Sequence, residues 1–293
     1  MTFQGSIPAV VTPFSSGSID IPAFRRLVER LLDEGASALV VCGTTGECPT
    51  LTSEEQATLI REAVRTTKGR VPIIAGAGSN STQAALQLSY EAKNAGADAL
   101  LHVTGYYNHP SEAQVIDHFR TLDNHAYLPM LVYNIPSRTG QDLSVDTIVA
   151  LSELEYLVGV KDATGNVARV TQERLRVTKP FSFLSGEDAT SLGYLAHGGQ
   201  GCISVTANVA PALCAEMIRL ALAGDFPGAR AINDRLMPLH KALFLEPSPG
   251  GAKYALSRLG LCKDELRQPL TPVTPVARAA IDAALVTAGL VSA

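Results

Sequence analysis

The chain has 293 residues, of which 46% are hydrophobic and 18% charged, and its formal net charge is −4. This composition is typical of an ordered globular protein, and the length suits two small domains or one α/β barrel with an appendage. The slight acidity and the scattered basic residues argue against a nucleic-acid-binding surface and against a membrane-surface stripe.

No segment has the features of an export signal or of a membrane span. The first ten residues lack the charged and apolar regions of a signal peptide, and no apolar run approaches the roughly 18 residues that a span needs. The five cysteines are odd in number and lack C-x-x-C spacing, and Cys42, Cys202 and Cys214 lie in apolar runs, as reduced core cysteines do. We therefore expect a cytoplasmic protein.

Strands and helices are predicted to alternate along the first two thirds of the chain. Helical patterns follow the capping signals Asp20, Thr52-x-x-Glu55 and Ser111-x-x-Gln114, and further helices are predicted at about 81–95, 144–152, from 166, and at 187–196. The strands are continuous apolar runs, which is typical of a parallel sheet covered on both faces. They are predicted at 7–11, 38–41, 71–75, 98–103, 129–133, 156–161, 181–184 and 202–205.

The repeat predicts a closed barrel followed by a helical segment. Eight strand–helix units within about 220 residues favour a (β/α)₈ TIM barrel over an open doubly wound sheet. After residue 205 only helices are predicted, at 211–223, 227–244, about 251–259 and about 276–289. We therefore expect a catalytic barrel domain at 1–224 and a C-terminal helical domain at 225–293 that packs on it.

Lys161 follows a short apolar strand in the stretch YLVGVKDATGN at 156–166. The carboxyl ends of the strands are where parallel α/β folds build their active sites. A desolvated lysine loses its proton more easily than a solvated one, and a neutral amine can form a Schiff base with a carbonyl substrate. Taken alone, a lysine at a strand end is more often a solvated residue, since functional lysines with a perturbed pKa are a small minority.

Polar residues follow several other strands, and most of these segments allow both a functional and a purely structural interpretation. Gly43-Thr44-Thr45-Gly46-Glu47 could cradle a carboxylate or be an ordinary turn, and it lacks the Gly-Lys-Ser/Thr ending of a phosphate loop. Tyrosines after the fourth and fifth strands could pass protons or simply finish a core. Arg138 could bind a carboxylate or lie on the surface. The acidic pair at 187–188 is predicted to favour the start of the next helix.

Six strand-end segments occur together in chain order. They are GTTGE at 43–47, YYN at 106–108, YNIPSRTG at 133–140, GVKDATG at 159–165, SGEDA at 185–189 and ISVTANV at 203–209. This set resembles the dihydrodipicolinate synthase family of pyruvate-dependent class I aldolases. The likeness runs through nearly the whole chain and includes RLMPLHKALFLEPSP at 235–249.

The resemblance implies the condensation of pyruvate with aspartate 4-semialdehyde in diaminopimelate and lysine biosynthesis. The implied catalytic residues are Lys161, which forms the Schiff base, and Tyr133, Thr44 and Tyr107, which relay protons. The implied substrate-binding residues are Thr45, Gly186 and Ile203 for pyruvate and Arg138 for the carboxylate of the aldehyde. The resemblance also implies a homotetramer built from tight dimers, in which Tyr107 reaches the neighbouring subunit's site. It implies no cofactor, and the six histidines show no metal-ligand spacing.

Two other functions stay open at this point. A related aldolase could cleave a sugar acid such as N-acetylneuraminate or 2-keto-3-deoxygluconate, although Arg138 argues against that reading. The barrel could also be a non-catalytic ligand sensor, which the complete set of implied catalytic residues disfavours. Trapping a pyruvate imine on Lys161 with borohydride would separate an enzyme from a sensor.

Regulation by lysine is the point at which the chain departs most from the family pattern. Asn80 and Tyr106 match the possible allosteric site at the dimer interface of lysine-inhibited members. Where strongly inhibited members tend to carry His, His and Glu, this chain has Ser53, Gln56 and Ala84.

We predict that lysine inhibits this protein weakly or not at all, because Ala84 cannot supply a carboxylate to the ligand's ammonium group. The measurement is the rate of condensation at increasing lysine concentration. Strong inhibition at sub-millimolar lysine would contradict the prediction.

Overall fold

The fold is built on one sheet of eight parallel strands, seen in a computed structural model that describes residues 1–126 and 128–292. Each strand pairs with its neighbours in the chain, and the first pairs with the last. A parallel bridge between Ala9 and Val40 joins the remaining edges, so the sheet is nearly closed. The strands are β1 (Gly5–Pro8), β2 (Leu39–Val41), β3 (Ile73–Gly76), β4 (Ala99–Val103), β5 (Met130–Asn134), β6 (Leu157–Asp162), β7 (Ser182–Ser185) and β8 (Gly201–Ser204).

Helices follow the strands and confirm the predicted (β/α)₈ barrel with additional C-terminal helices. Those of the barrel are α1 (Ile21–Asp33), α2 (Ser53–Thr67), α3 (Thr82–Asn94), α4 (Glu112–Ala126), α5 (Val145–Ser152), α6 (Arg169–Arg174), α7 (Ser191–Ala196) and α8 (Pro211–Leu222). Those that follow are α9 (Phe226–Ala242), α10 (Gly250–Arg258) and α11 (Pro275–Ala288). The first capping signals act as predicted: Asp20 accepts from the amide of Ala23, and Thr52 forms a capping box with Glu55.

Several local predictions were wrong. The first strand ends at Pro8 rather than at 11; Ala9 and Val10 still donate to carbonyls of neighbouring strands, and the Val11 amide then donates to the side chain of Asn208 at 3.1 Å. The sixth helix begins at Arg169 rather than at 166, since the segment before it is taken up by turns. The structure also contains two elements that were not predicted. One is a hairpin of two short strands, Phe14–Ser15 and Ser18–Ile19, and the other is a short helix, Pro136–Thr139.

Apolar side chains fill both faces of the sheet. One cluster, which includes Ile7, Val40 and Leu131, lies inside the barrel, and a larger one lies between the strands and the helices. Because alternate residues of a strand point to opposite faces, burial on both faces requires continuous apolar runs. Cys42, Cys202 and Cys214 are buried and free, as predicted.

The C-terminal helices pack directly against the barrel. Asp225 caps α9 only three residues after α8 ends, and α9 contacts both α8 and α11. The Arg235 side chain donates to the carbonyl of Ala288 at 2.9 Å, which joins α9 to the end of α11. The connection between barrel and appendage is therefore short and well packed, whereas the domain division at 224/225 stays a prediction.

A buried charge cluster lies behind the carboxyl end of β6. The Arg169 guanidinium pairs with Glu173 at 2.7 Å and with Asp142 at 2.6 Å, and Asp162 lies at 4.0 Å. Three carboxylates thus surround one cation. Burial raises the pKa of Glu173 from 4.5 to about 7, against the opposing effect of Arg169. Burial also raises the pKa of Asp162. Burial therefore favours the protonated form of both carboxyl groups.

We predict that Glu173→Gln flattens the pH dependence of stability. A carboxyl whose pKa is raised on folding stabilises the protein below its unfolded pKa of 4.5, and this contribution is lost as the pH rises through about 7. Between about pH 5 and pH 8 the wild-type free energy of unfolding should therefore fall relative to the variant, by on the order of 3 kcal/mol. Urea unfolding at both pH values is the measurement, with Glu54→Gln as an exposed control. Parallel pH profiles for wild type and Glu173→Gln would contradict the prediction.

Candidate active site

Lys161 and Tyr133 lie side by side at the mouth of the barrel. They are paired residues of the adjacent strands β6 and β5, so both side chains point to the same face. The Lys161 Nζ lies 3.9 Å from the centroid of the Tyr133 ring, and the two residues are 6% and 7% exposed. Within the described part of the chain, no carboxylate forms an ion pair with Lys161. The amine is buried, and it is not engaged in a salt bridge.

Gly186 allows β7 to approach the lysine side chain closely. Its amide donates to the carbonyl of Asp162 at 2.6 Å, which holds the end of β7 against β6. A Cβ at this position would lie 3.0 Å from the Lys161 Cε and 3.0 Å from the Cβ of Ala163. The absence of a side chain at Gly186 therefore keeps the space beside the amine open.

The loop after β2 forms a tight turn whose Thr44 and Thr45 line the same space. Residues Thr44–Gly46 form a single 3₁₀ turn, and the first N–H groups of such a turn have no acceptor within it. The amide of Glu47 closes the turn by donating to the carbonyl of Thr44 at 3.0 Å. From outside, the Thr12 hydroxyl donates to the carbonyl of Gly46 at 2.7 Å. The N–H groups of Thr44 and Thr45 therefore have no acceptor within the turn and are available to an anion.

A cavity of about 340 Å³ brings six of the predicted site residues together. Those six are Thr44, Thr45, Tyr133, Arg138, Lys161 and Gly186. Glu187 is the only carboxylate among the described residues that line it, beside the two cations Lys161 and Arg138. Phe244, Pro247 and Ser248 complete the wall from the segment after α9. The cavity thus offers an amine, a guanidinium, a carboxylate and a turn rich in N–H groups.

The other predicted residues lie elsewhere in the single chain. Ile203 is packed in the barrel interior and does not line the cavity. Tyr107 is 90% exposed and adopts a left-handed backbone conformation with φ of 69°. The Asn80 side chain donates to the carbonyl of Tyr106 at 3.3 Å, and Tyr106 lines a neighbouring cavity of about 350 Å³. The proposed allosteric pair is therefore in contact, and the roles of all four residues stay predictions.

Only one member of the acidic pair after β7 acts as predicted. Glu187 does cap the following turn, accepting from the amide of Ala189 at 3.3 Å. Asp188 instead is buried and accepts from the amides of Val205 and Thr206, at 2.9 and 3.1 Å. It therefore ties the end of β7 to the end of β8. An acidic residue placed directly after a strand was the available signal, but its long-range partners were not visible in the sequence.

The described residues contain neither a metal-binding cluster nor a membrane-spanning helix. No group of three or more His, Cys, Asp or Glu side chains there is placed to hold a metal ion. Among the helices of the described segments, none is long and apolar enough to cross a membrane.

Comparison with known proteins agrees with this geometry. The sequence model of the dihydrodipicolinate synthetase family matches residues 2–288. The chain belongs to this family. The 4-hydroxy-tetrahydrodipicolinate synthase of Ruegeria pomeroyi is 54% identical over 288 residues, which make up 98% of this chain and 99% of that protein.

Two solved structures of family members share the whole fold. The dihydrodipicolinate synthase of Aquifex aeolicus is 44% identical, with a TM-score of 0.95 over 98% of this chain and 99% of its own. A chloride-inhibited dihydrodipicolinate synthase of Acinetobacter baumannii, solved with pyruvate, is 41% identical, with a TM-score of 0.96 and the same coverage. The likeness to the family therefore extends through the barrel and the C-terminal helices.

We predict that Gly186→Ala lowers activity strongly while leaving the fold intact. The new methyl group would press on the Lys161 Cε and displace the amine from Tyr133, because the 3.0 Å separations are shorter than ordinary van der Waals contacts. Turnover and the circular dichroism spectrum are the measurements. Unchanged turnover of a folded Gly186→Ala protein would contradict the prediction.

Proposed function

We propose that this protein condenses pyruvate with L-aspartate 4-semialdehyde through a Schiff base on Lys161, the activity of a 4-hydroxy-tetrahydrodipicolinate synthase. The observation that carries the proposal is the buried Lys161 amine against the Tyr133 ring, in a cavity that also contains Thr44, Thr45 and Arg138. The family and the name of the relative at 54% identity support the same reaction.

The first half of the reaction uses the lysine and the turn after β2. The Lys161 amine adds to the keto carbon of pyruvate, and loss of water gives an imine. The amides and hydroxyls of Thr44 and Thr45 hold the pyruvate carboxylate, as an N–H nest suits an anion. The protonated imine withdraws electrons, so the methyl group of pyruvate loses a proton and an enamine forms.

The second half of the reaction uses the opposite wall of the cavity. The enamine carbon attacks the aldehyde of the second substrate, whose carboxylate is bound by the planar guanidinium of Arg138. The carboxylate of Glu187 has the charge to balance the substrate's ammonium group. That amine then attacks the imine carbon, so ring closure by transimination releases the product and regenerates Lys161.

Proton transfer and pyruvate binding involve residues that a single chain does not bring together. We assign the relay to Tyr133 and Thr44 with Tyr107, whose exposure leaves it free to reach a neighbouring subunit's cavity. The carbonyl of Ile203 is assigned to the pyruvate end. We accordingly propose a homotetramer built from tight dimers that uses no external cofactor. We also propose that the protein acts in the cytoplasm, in lysine biosynthesis.

The test is to trap the imine chemically. We predict that pyruvate with borohydride adds the mass of one reduced pyruvate unit to the peptide containing Lys161, and that turnover requires aspartate 4-semialdehyde. Lys161→Ala should lose the adduct and lose turnover by several orders of magnitude, because the nucleophile is gone. Lys161→Arg is the matched control, since it keeps a long cationic side chain without an addition-competent amine.

Two outcomes would contradict the proposal. One is the absence of a pyruvate adduct on the folded wild-type protein, which would leave a ligand-binding barrel. The other is rapid cleavage of N-acetylneuraminate or 2-keto-3-deoxygluconate together with no condensation, which would indicate a sugar-acid aldolase.

A further inference from the structure

A buried ion pair connects the C-terminal helices to the loop after β2. Lys253 of α10 is fully buried, and its Nζ pairs with the carboxylate of Glu47, which is also buried. The same Nζ donates to the carbonyl of Glu265 at 2.7 Å and lies 4.0 Å from the centroid of the Phe14 ring. A buried charge pair of this kind is held by specific geometry, because either partner alone would be strongly disfavoured.

A second C-terminal residue holds the other oxygen of the same carboxylate. The amide of Arg267 donates to the Glu47 Oε2 at 3.0 Å. The Arg267 guanidinium pairs with Glu55 in the first turn of α2 and donates to the carbonyl of Thr50 at 2.8 Å. Residues far apart in the chain thus fix both oxygens of Glu47 and the loop on its C-terminal side.

The held carboxylate determines the conformation of the turn that faces the cavity. Glu47 has a φ of 58°, a left-handed conformation that is uncommon for a residue with a side chain. In this conformation its amide reaches back to the carbonyl of Thr44 and closes the turn Thr44–Gly46. Releasing the side chain would let the backbone of Glu47 leave this conformation and reorient the amides of Thr44 and Thr45.

We propose that Lys253 is a positioning residue for pyruvate. Through Glu47 it holds the turn Thr44–Gly46 in the orientation that binds the pyruvate carboxylate, although Lys253 does not line the cavity. The C-terminal helices therefore act in substrate binding as well as in packing. This inference rests on the proposed function, because the turn is assigned there to the pyruvate carboxylate.

The two substrates give the proposal a specific signature. Arg138 follows β5 and would bind the carboxylate of the aldehyde. In the described part of the chain, Arg138 forms no hydrogen bond or ion pair with Lys253, Glu47 or Arg267. Disturbing the ion pair should therefore raise the KM for pyruvate and leave the KM for aspartate 4-semialdehyde nearly unchanged. A general loss of structure would instead affect both substrates.

The experiment measures both KM values for full-length Lys253→Met. The KM for pyruvate should rise about tenfold or more, the scale of losing one hydrogen bond to a charged group, and the KM for the aldehyde should change less than about twofold. Borohydride trapping should require a correspondingly higher pyruvate concentration. Arg258→Met is the control, since Arg258 lies on the same helix and pairs with the exposed side of Asp282 at 2.8 Å.

The double variant Glu47→Gln/Lys253→Met separates positioning from stability. The double variant removes both buried charges, so we expect it to fold even if Lys253→Met alone is destabilised by the unpaired Glu47 carboxylate. Its KM for pyruvate should nevertheless stay raised. Wild-type KM values in the folded double variant would overturn the inference, as would equal changes for both substrates. A wild-type protein that forms no pyruvate adduct would instead overturn the proposed function.

Discussion

The parallel register between β5 and β6 is the constraint on which the site depends. It pairs Tyr133 with Lys161, so a buried amine and a phenol ring meet at the carboxyl end of the sheet. A shift of one residue in either strand would turn one of the two side chains to the opposite face. The apolar residues of β5 alternate between the two faces, and after an irregularity at Met130/Leu131 the pairing with β6 runs unbroken to Asn134 and Asp162, so core packing supports the register that the chemistry needs.

The parts of the fold that depend on local patterns could be predicted from the sequence. Eight apolar runs and the caps at Asp20 and Thr52 were sufficient for the barrel, because strand burial and helix capping are short-range properties. The turns and the ends of elements were less predictable. The segment after β1 is held by Asn208, which lies nearly two hundred residues away. The role of Asp188 likewise depends on amides of another strand.

The sequence allowed the residues of the candidate site to be predicted, but not all of their positions relative to one another. Lys161 was identifiable by its place after a strand, whereas its distance from Tyr133 follows only from the pairing of strands. The positions of Ile203 and Tyr107 could not be inferred, because the direction of each side chain depends on how the finished fold packs. Glu47 and Lys253 were missed for the same reason: neither residue is unusual until the fold makes them partners.

The wall of the cavity contributed by Phe244, Pro247 and Ser248 has a consequence for how the protein is synthesised. Lys161 is translated some eighty residues before this wall, and a chain grows from its N-terminus at about 5–20 residues per second. A nascent chain translated through β8 therefore already contains all eight barrel strands but lacks this wall. The complete cavity around Lys161 can form only after residues 244–248 have also been synthesised.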